Sequence, residues 1–558
     1  MIKPKLFTIL FKGLFVTGLG FMVSCSGSEE FTRAEKPEPT EAPEIKVGDY
    51  ERFTLDNGMQ VFVVEDPNMP SVTFNMDVNR PPIKSGDKAG YTRLVGQMLG
   101  TATENRSKDE LNEAIDFIGA SLNTGSNGFY ASALKKHHEK LLKLSADVVK
   151  NSVFKEAEFE KQRKQLISSI KSSENSPGAI AGRVYDRLLF GEDHPYGDIQ
   201  SVETVKNITL EDIKSYYDQY FDPSISYLAV VGNVTKKEIK PLIKEQFSDW
   251  ESEGQPPERE YDTPEPPDER EVSVVDRSAA EQSTLRIGHP VDLQLNDPDF
   301  FAARLANTIL GSPNFRLFMN LREDKAYTYG AYSRIDADEE VGSFTASAEV
   351  SNRATDSAVK EILKEMRQIG NGSIAPEELQ RAKSYITGNF AIGLEDARTV
   401  GRYALNVAQK DLPDNYYRNY LKNIDQVKKP AVRKAAQKYI NPDQAQVLVV
   451  GKAEDFQGRL DQFGPVNYYT KFGKPTESPI EQMSKADMTA SQVIDKYVAA
   501  IGGKDKLQNV EGMKRVYEAT VQGSKLKMMQ EQKSPDMFRQ VMEVGGMKMM
   551  EKIYNGEQ

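Results

Sequence analysis

The stretch that decides the fold is YDQYFDPSISYLAVVGNV at residues 217–234, because AQKYINPDQAQVLVVGKA at residues 436–453 repeats it. The proline and the GN/GK glycine of the first stretch align with those of the second at a single offset of 219 residues. Closer to the start of each unit, LVGQMLG (94–100) corresponds to LANTILG (305–311) at an offset of 211 residues. A period above 200 residues is far too long for a solenoid. The chain is therefore predicted to be a tandem of two homologous domains.

Within each repeat the hydrophobic pattern predicts an α/β sandwich, an antiparallel-rich sheet flanked by helices. RFTLDNGMQVFVVED and SVTFNMDVN alternate as strands do, and the DNG step at 56–58 is typical of a hairpin turn. GYTRLVGQML and KDELNEAIDFIG are predicted helices, the latter with Leu111, Ile115 and Ile118 at helical spacing. SLNTGSNGFYASAL is interpreted as a strand. The fold class is α+β.

Composition places the domain boundaries. Residues 26–46 are rich in Glu, Pro, Ser and Thr and are interpreted as a disordered tether. Residues 254–270 are Pro-rich and charged and are interpreted as a linker, and residues 474–488 form a second one. The segments between them are residues 47–253 (first repeat), 271–473 (second repeat) and 489–558 (a third, β-rich domain).

Residues 1–25 are predicted to be a lipoprotein signal peptide. Lys3 and Lys5 give a positive start, and the apolar run GLFVTGLGFMVS before Cys25 is too short to span a bilayer. MVSC at 22–25 resembles a bacterial lipobox, whose cysteine is acylated. We expect an exported chain, lipid-anchored in the bacterial cell envelope at the outer membrane, facing the periplasm or the cell surface. The alternative is an uncleaved N-terminal membrane anchor.

Bulk composition excludes one class of partner. The 558 residues include 39% hydrophobic and 28% charged residues, an ordinary globular balance. The formal net charge is -11, with no basic domain to offset it, which argues against a nucleic-acid partner.

Five stretches in order carry a resemblance to a known family: FTLDNGMQVFVVED, GYTRLVGQMLGTATENRS, LLFGEDHPYG, YFDPSISYLAVVGNV and ILGSPNFRLFMNLREDKAYTYGAYS. Together they resemble the pitrilysin/insulinase family of zinc peptidases, the inverzincins, in the branch built from two-domain subunits. The resemblance covers roughly residues 47 to 470. It implies a subunit that forms half of a clamshell.

The family's catalytic motif is HxxEH on a helix, in which two histidines bind zinc and the glutamate is the general base. Aligned on GYTRLVGQMLG, Arg93 and Gln97 take the histidine positions and Gly96 takes the glutamate position. The third ligand position falls on Ser169. Arginine is a permanent cation, Gln and Ser are poor zinc ligands, and glycine has no side chain. The resemblance therefore implies no catalytic residue and no bound zinc in this chain.

The four histidines do not supply a substitute, since neither HxxEH nor HExxH occurs. His137 and His138 are adjacent at the start of a predicted helix and point about 100° apart, which is poor geometry for one metal. His194 lies in the loop GEDHPYG and is interpreted as structural. His289 is expected to follow a strand and is given no role.

A second family feature is kept. The C-terminal repeat of these peptidases carries an Arg and a Tyr seven residues apart that bind the substrate carbonyl and stabilise the oxyanion. LREDKAYTYG aligns with that motif, which implies substrate binding by Arg322 and Tyr329, with Tyr327 as the nearby alternative. The alternative interpretation is an ion pair for Arg322 and packing within a strand for Tyr329.

Lost HxxEH with a kept Arg and Tyr resembles the non-catalytic subunit of heteromeric enzymes in this branch. The resemblance implies a homologous partner subunit that carries HxxEH and the zinc, and an extended peptide substrate that adds as an edge strand to a sheet. The alternative is a peptide-binding or structural envelope lipoprotein with no role in hydrolysis.

From Thr489 a helix, TASQVIDKYVAAIGG, precedes four alternating stretches that predict an antiparallel meander. This order weakly resembles a lipoprotein-carrier half-barrel. Four strands are too few to close such a sheet, so we expect residues 489–558 to be the start of a longer domain. The alternative is a small module completed by a partner.

Overall fold

Two mixed β-sheets, each covered by helices, form the tandem part of the chain, and a separate four-stranded sheet follows them. This is the predicted α+β class, so the fold-class prediction is confirmed. The computed structural model describes residues 50–252, 254, 261–479, 489–521, 524–533 and 535–556.

Short apolar strands and amphipathic helices follow one another in the order that the hydrophobic spacing predicts. The first repeat contains β1 (Tyr50–Thr54), β2 (Gln60–Glu65), β3 (Ser71–Val78), α1 (Tyr91–Met98), α2 (Lys108–Phe117), β4 (Ser121–Gly125), β5 (Gly128–Leu134), α3 (His138–Lys150), α4 (Glu156–Ser173), α5 (Pro177–Phe190), α6 (Val202–Asn207), α7 (Leu210–Tyr220), β6 (Ser226–Gly232) and α8 (Lys236–Phe247). The second contains β7 (Glu271–Asp276), β8 (Gln282–Val291), α9 (Phe300–Gly311), α10 (Arg316–Phe318), β9 (Thr328–Asp336), β10 (Gly342–Ser351), α11 (Thr355–Asn371), α12 (Pro376–Gly393), α13 (Ala397–Gln409), α14 (Tyr416–Gln426), α15 (Lys429–Tyr439), β11 (Gln446–Gly451), β12 (Val466–Tyr469) and β13 (Pro475–Thr476).

The register of the sheets reproduces the sequence repeat. In the first sheet, β2 runs parallel to β6 and Gln60 pairs with Tyr227. In the second, β7 runs parallel to β11 and Glu271 pairs with Gln446. The offsets of 211 and 219 residues found in the sequence carry the first pair onto the second. Beyond β6 lie β3, β5 and β4, as β8, β10 and β9 lie beyond β11, so the two sheets share one topology.

The repeats exchange one helix each. The apolar face of α5, in the first repeat, packs against β8 and β11 of the second sheet, with Ile180 and Val184 fully buried beside Leu448. In return, α13 packs against β2, β3 and β6 of the first sheet, with Leu405 buried in a cluster with Phe62. Because each sheet needs a helix from the other repeat to cover part of its second face, the repeats form one interlocked body.

Local structure confirms some interpretations and corrects two. The predicted turn at 56–58 joins the antiparallel strands β1 and β2. SLNTGSNGFYASAL, interpreted as one strand, forms the β4–β5 hairpin because the chain reverses between Gly125 and Gly128. The expectation that His289 follows a strand is wrong: it lies inside β8, which pairs with β10 along the whole of both strands.

The C-terminal module has the predicted order of a helix followed by an antiparallel meander. Among the residues that the structure describes, no helix is both long and apolar enough to cross a membrane. The predicted signal peptide with Cys25, the tether, part of the first linker and most of the second lie outside the described residues. The module consists of α16 (Ala490–Ala500), α17 (Lys504–Gln508), β14 (Gly512–Val521), β15 (Ser524–Lys533), β16 (Met537–Val544) and β17 (Met547–Asn555).

Candidate functional site

The helix that aligns with the zinc-binding helix is α1. Its apolar residues are fully buried, so α1 is anchored by hydrophobic packing alone. Arg93 and Gln97 lie four residues apart, hence on one side of the helix, with Arg93 exposed and Gln97 half-buried. Ser169 is exposed on α4, which contacts α1. The structure thus brings together the two helices of the predicted degenerate zinc site, where a fixed cation, an amide and a hydroxyl stand in place of imidazoles and a carboxylate.

Gly96 is the residue at which α1 touches the β4–β5 hairpin. A Cβ atom at this position would lie 2.9 Å from the backbone nitrogen of Ser126 and 3.0 Å from the carbonyl carbon of Gly125. The Thr124 hydroxyl lies 3.0 Å from the carbonyl oxygens of both Gly96 and Leu99, and its hydrogen bonding ties the hairpin to the end of α1. Any side chain at position 96, including the glutamate of HxxEH, would require the hairpin backbone to move. Packing as well as residue type therefore excludes the general base.

The histidines have structural partners. His194 is 4% exposed, its Nδ1 accepts a hydrogen bond from the amide of Tyr196 at 3.2 Å, and burial lowers the pKa of the ring. His289 Nε2 accepts from the amide of Asn441 at 2.9 Å, which assigns Nδ1 as the donor to the Pro290 carbonyl at 2.8 Å; burial lowers its pKa too. Among the described residues, no group of three or more His, Cys, Asp or Glu is placed to hold a metal ion.

Arg322 and Tyr329 lie on either side of a tight reversal of the chain. After α10 the chain makes a π-helical turn over Met319–Asp324. Ala326 then has a φ of 54°, a left-handed conformation that costs a residue with a Cβ about 1 kcal/mol or more. The amide of Tyr327 donates to the carbonyl of Leu321 at 2.8 Å and closes the reversal. Both π turns and left-handed non-glycine residues are enriched at functional sites.

This reversal leaves both side chains accessible. Tyr329 is the second residue of β9 and is 86% exposed, so its ring does not pack into the core. Arg322 lies 3.4 Å from a carboxylate oxygen of Glu323, and its guanidinium stands 4.8 Å from the centre of the Phe318 ring. Both partners of that ion pair are about half exposed, so the pair stabilises little. Tyr327, the alternative at this site, is half-buried.

Tyr329 also marks the start of a sheet edge. Among the described residues, β9 pairs only with β10, so the backbone groups on its outer side have no strand partner. A bulge between Ala348 and Val350 disturbs the β10 register opposite Thr328. The Thr328 hydroxyl donates to the carbonyl of Glu349 at 2.6 Å and holds that bulge. Bulges of this kind occur at sheet edges and beside functional sites.

The second face of the sheet next to β9 is polar and open. Along β10, apolar residues that face the core alternate with polar residues that face away from it. Beside this polar side lies a cavity of about 370 Å³, lined in part by Arg286, Tyr329, Tyr332, Ser347 and Glu349. Arginine, hydroxyl and carboxylate groups there can all hydrogen-bond to a peptide backbone. The alternation in GSFTASAEVS is readable in the sequence, but the free edge and the Gly96 contact depend on tertiary packing.

Comparisons with known proteins agree with this description. Residues 61–188 match the family model described as insulinase (peptidase family M16), and residues 207–386 match the model described as peptidase M16 inactive domain. The chain is 23% identical over 355 residues to the uncharacterized zinc protease YmxG of Bacillus subtilis, covering 62% of this chain and 85% of that protein. It is 25% identical over 408 residues to an uncharacterized zinc protease of Mycobacterium leprae, covering 70% and 89%.

Solved structures share the fold. A protease from Helicobacter pylori superposes with a TM-score of 0.66 at 21% identity, covering 73% of this chain and all of that one. A peptidase M16 inactive domain from Pseudomonas fluorescens superposes with a TM-score of 0.64 at 20% identity, covering 72% of this chain and 98% of that one. At these identities the likeness establishes the architecture of the two repeats.

Proposed function

This chain belongs to peptidase family M16, and from that premise we propose that it is the zinc-less subunit of a heteromeric M16 metallopeptidase. Its homologous partner carries HxxEH and the zinc and hydrolyses peptides or unfolded proteins. This chain supplies Arg322, Tyr329 and one wall of the chamber that encloses the substrate. The two subunits close around that chamber as the halves of a clamshell.

One contrast carries the proposal: the hydrolytic position is closed, whereas the substrate-binding position is open. Gly96 rests against the β4–β5 hairpin, and none of the aligned ligand positions offers an imidazole or a carboxylate. Tyr329 remains 86% exposed beside Arg322, on a turn that the backbone holds in place. A residue pair kept accessible in a chain without its own metal is best explained if the metal lies in another chain.

The substrate is an extended peptide. β9 offers unpaired backbone donors and acceptors along nine residues, and its sequence TYGAYSRID contains no proline that would interrupt pairing. Backbone pairing reads the peptide main chain more than its side chains, which suits short or unfolded substrates. Arg322 then contributes fixed cationic donors and Tyr329 a hydroxyl donor to the charge that develops on the attacked carbonyl oxygen.

The proposal includes a location. A signal sequence ending in MVSC supports export and acylation at Cys25, which would anchor the complex in the cell envelope. Zinc is assigned to the partner alone, because the residues aligned with the ligands in this chain do not fit the metal.

The test is to co-express the chain with an HxxEH-bearing M16 homologue from the same genome and to purify the complex through a tag on this chain. We expect one zinc per complex and cleavage of an unfolded peptide. Arg322→Ala and Tyr329→Phe should each lower kcat about 100-fold or more, since one oxyanion donor is typically worth that much. The matched control is Arg367→Ala, an exposed arginine on α11 paired with Asp443 at 2.6 Å, which should leave kcat unchanged.

Three outcomes would overturn the proposal: no complex, a complex without zinc, or unchanged kcat in both site variants. A complex that binds unfolded peptide without cleaving it would support the alternative, a peptide-binding envelope lipoprotein. The observation that favours this alternative is the open polar sheet face, which needs no metal to hold a peptide.

A further inference from the structure

A second cavity lies inside the second repeat, away from Arg322 and Tyr329. Its volume is about 460 Å³, within the range of small-molecule sites. Helices α9, α12, α13 and α14 contribute its walls. The lining combines aromatic rings with a few polar groups, and its cationic members are Arg304 and Arg402.

One wall is a stack of nearly parallel rings. Tyr403 stacks on Tyr417 with centroids 4.0 Å apart and planes 10° apart, and Phe390 stacks on Tyr420 at 4.8 Å and 3°. Phe390 and Tyr403 join the two pairs at 5.7 Å and 12°. Tyr416 stands almost perpendicular to Tyr417, at 82°. Such a wall offers a flat apolar surface against which another planar group can pack.

The polar groups of this cavity are donors rather than acceptors. Within the described residues, neither Arg304 nor Arg402 has a carboxylate within 4.0 Å of its guanidinium, although the chain as a whole is acidic. The Tyr417 hydroxyl accepts a hydrogen bond from the Asn406 amide at 2.9 Å, which leaves its own proton for an acceptor in the cavity. Burial raises the pKa of Tyr417 to about 12, so it stays a neutral donor at physiological pH.

The cavity occupies the position in the second repeat that the degenerate zinc site occupies in the first. The offset of 211 residues places Arg304 where Arg93 stands and Asn307 where Gly96 stands. Helices α4 and α12 are both 18 residues long, and α12 begins 220 residues after α4. Three of the tyrosines come from α14, an 11-residue helix in the place of the 6-residue α6. The second repeat thus has an aromatic wall where the first has none.

From these observations we propose that the second repeat binds a small organic oxyanion with an aromatic body in this cavity. The ring of the ligand packs on the Tyr403–Tyr417 wall, and its carboxylate or phosphate is held by Arg304 and Arg402. This site is independent of the proposed partner subunit and of peptide hydrolysis.

The test is isothermal titration calorimetry on the full-length chain in detergent, with N-acetyl-tyrosine, its neutral analogue N-acetyl-tyrosinamide, and phenyl phosphate. A ligand of this size is expected to bind with a Kd on the order of 0.1–1 mM. The neutral amide should bind at least about tenfold more weakly. Comparison of N-acetyl-tyrosine with phenyl phosphate then identifies which oxyanion the site prefers.

The decisive variant is Arg304→Ala/Arg402→Ala, in which both side chains are exposed, so the melting temperature should not change. It should lose at least about tenfold in affinity for the anionic probes. The matched control is Arg398→Ala, an exposed arginine on the same helix α13 that is paired with Asp396 outside the cavity. Equal affinity for the acid and the amide, full affinity in the double variant, or no saturable binding up to ~10 mM would overturn the proposal.

Discussion

Gly96→Ala tests whether the hairpin really closes the position of the general base. The new Cβ would lie 2.9 Å from the Ser126 nitrogen, about 0.6 Å inside the shortest favourable contact of roughly 3.5 Å. Both nearest groups are backbone, so the strain cannot be relieved by a side-chain rotation, and overpacking of this kind costs about 1–3 kcal/mol. Alanine regains about 1 kcal/mol of helix propensity over glycine. The net loss of unfolding free energy is therefore about 1 kcal/mol.

A matched substitution isolates the contact. Gly182, inside α5, has nothing within 4 Å of its added Cβ, so Gly182→Ala should stabilise the chain by about 0.5–1 kcal/mol through helix propensity alone. Urea denaturation of both variants can be followed by the fluorescence of Trp250, the single tryptophan, which packs against the core of the first repeat. If Gly96→Ala is as stable as Gly182→Ala, the contact between α1 and the hairpin is not as described.

Three further expectations concern other parts of the fold. Ile180→Ala should lower the unfolding free energy by about 2–5 kcal/mol, because Ile180 is fully buried where α5 covers the second sheet; a loss under ~1 kcal/mol in denaturant titration would contradict that packing. Burial would raise the pKa of Asp147, but hydrogen bonds from four neighbouring side chains outweigh it and hold the pKa below its ordinary value. Its stabilisation is therefore complete above pH ~4 and is lost as the pH falls through the folded-state pKa; Asp147→Asn should abolish that part of the acid dependence, and equal pH slopes for both proteins would refute it. Restoring HxxEH with Arg93→His, Gly96→Glu and Gln97→His should lower the melting temperature without giving stoichiometric zinc, and elemental analysis showing one zinc per chain would refute the closed site.

The architecture of the repeats was open to prediction because it is written in local patterns. Strand alternation and helical spacing are properties of short windows, and the two offsets in the sequence reappear as the register between β2 and β6 and between β7 and β11. His289 escaped this logic. Its strand continues through the pair Gly288–His289 because β10 runs alongside it, a contact between residues more than 50 positions apart.

The exchange of α5 and α13 could not be read from the sequence. Both helices show an apolar face, but that face does not tell which sheet covers it. The same limit applies to the candidate site. Residue types at positions 93, 96, 97 and 169 already argue against zinc, yet only the packing reveals that Gly96 has backbone atoms where a glutamate would need space.

The way α1 is anchored explains how a chain of this family can lack the metal and keep the fold. Leu94, Val95 and Met98 hold the helix through the core, whereas the aligned ligand positions Arg93 and Gln97 lie on another side of it. Replacing ligands there removes no core packing, so the sheet and its edge strand stay in place. The turn before β9 is built from backbone hydrogen bonds and likewise needs no metal. Loss of hydrolysis and retention of a peptide-binding edge are therefore separable in this architecture, which is the physical condition for a division of labour between two homologous subunits.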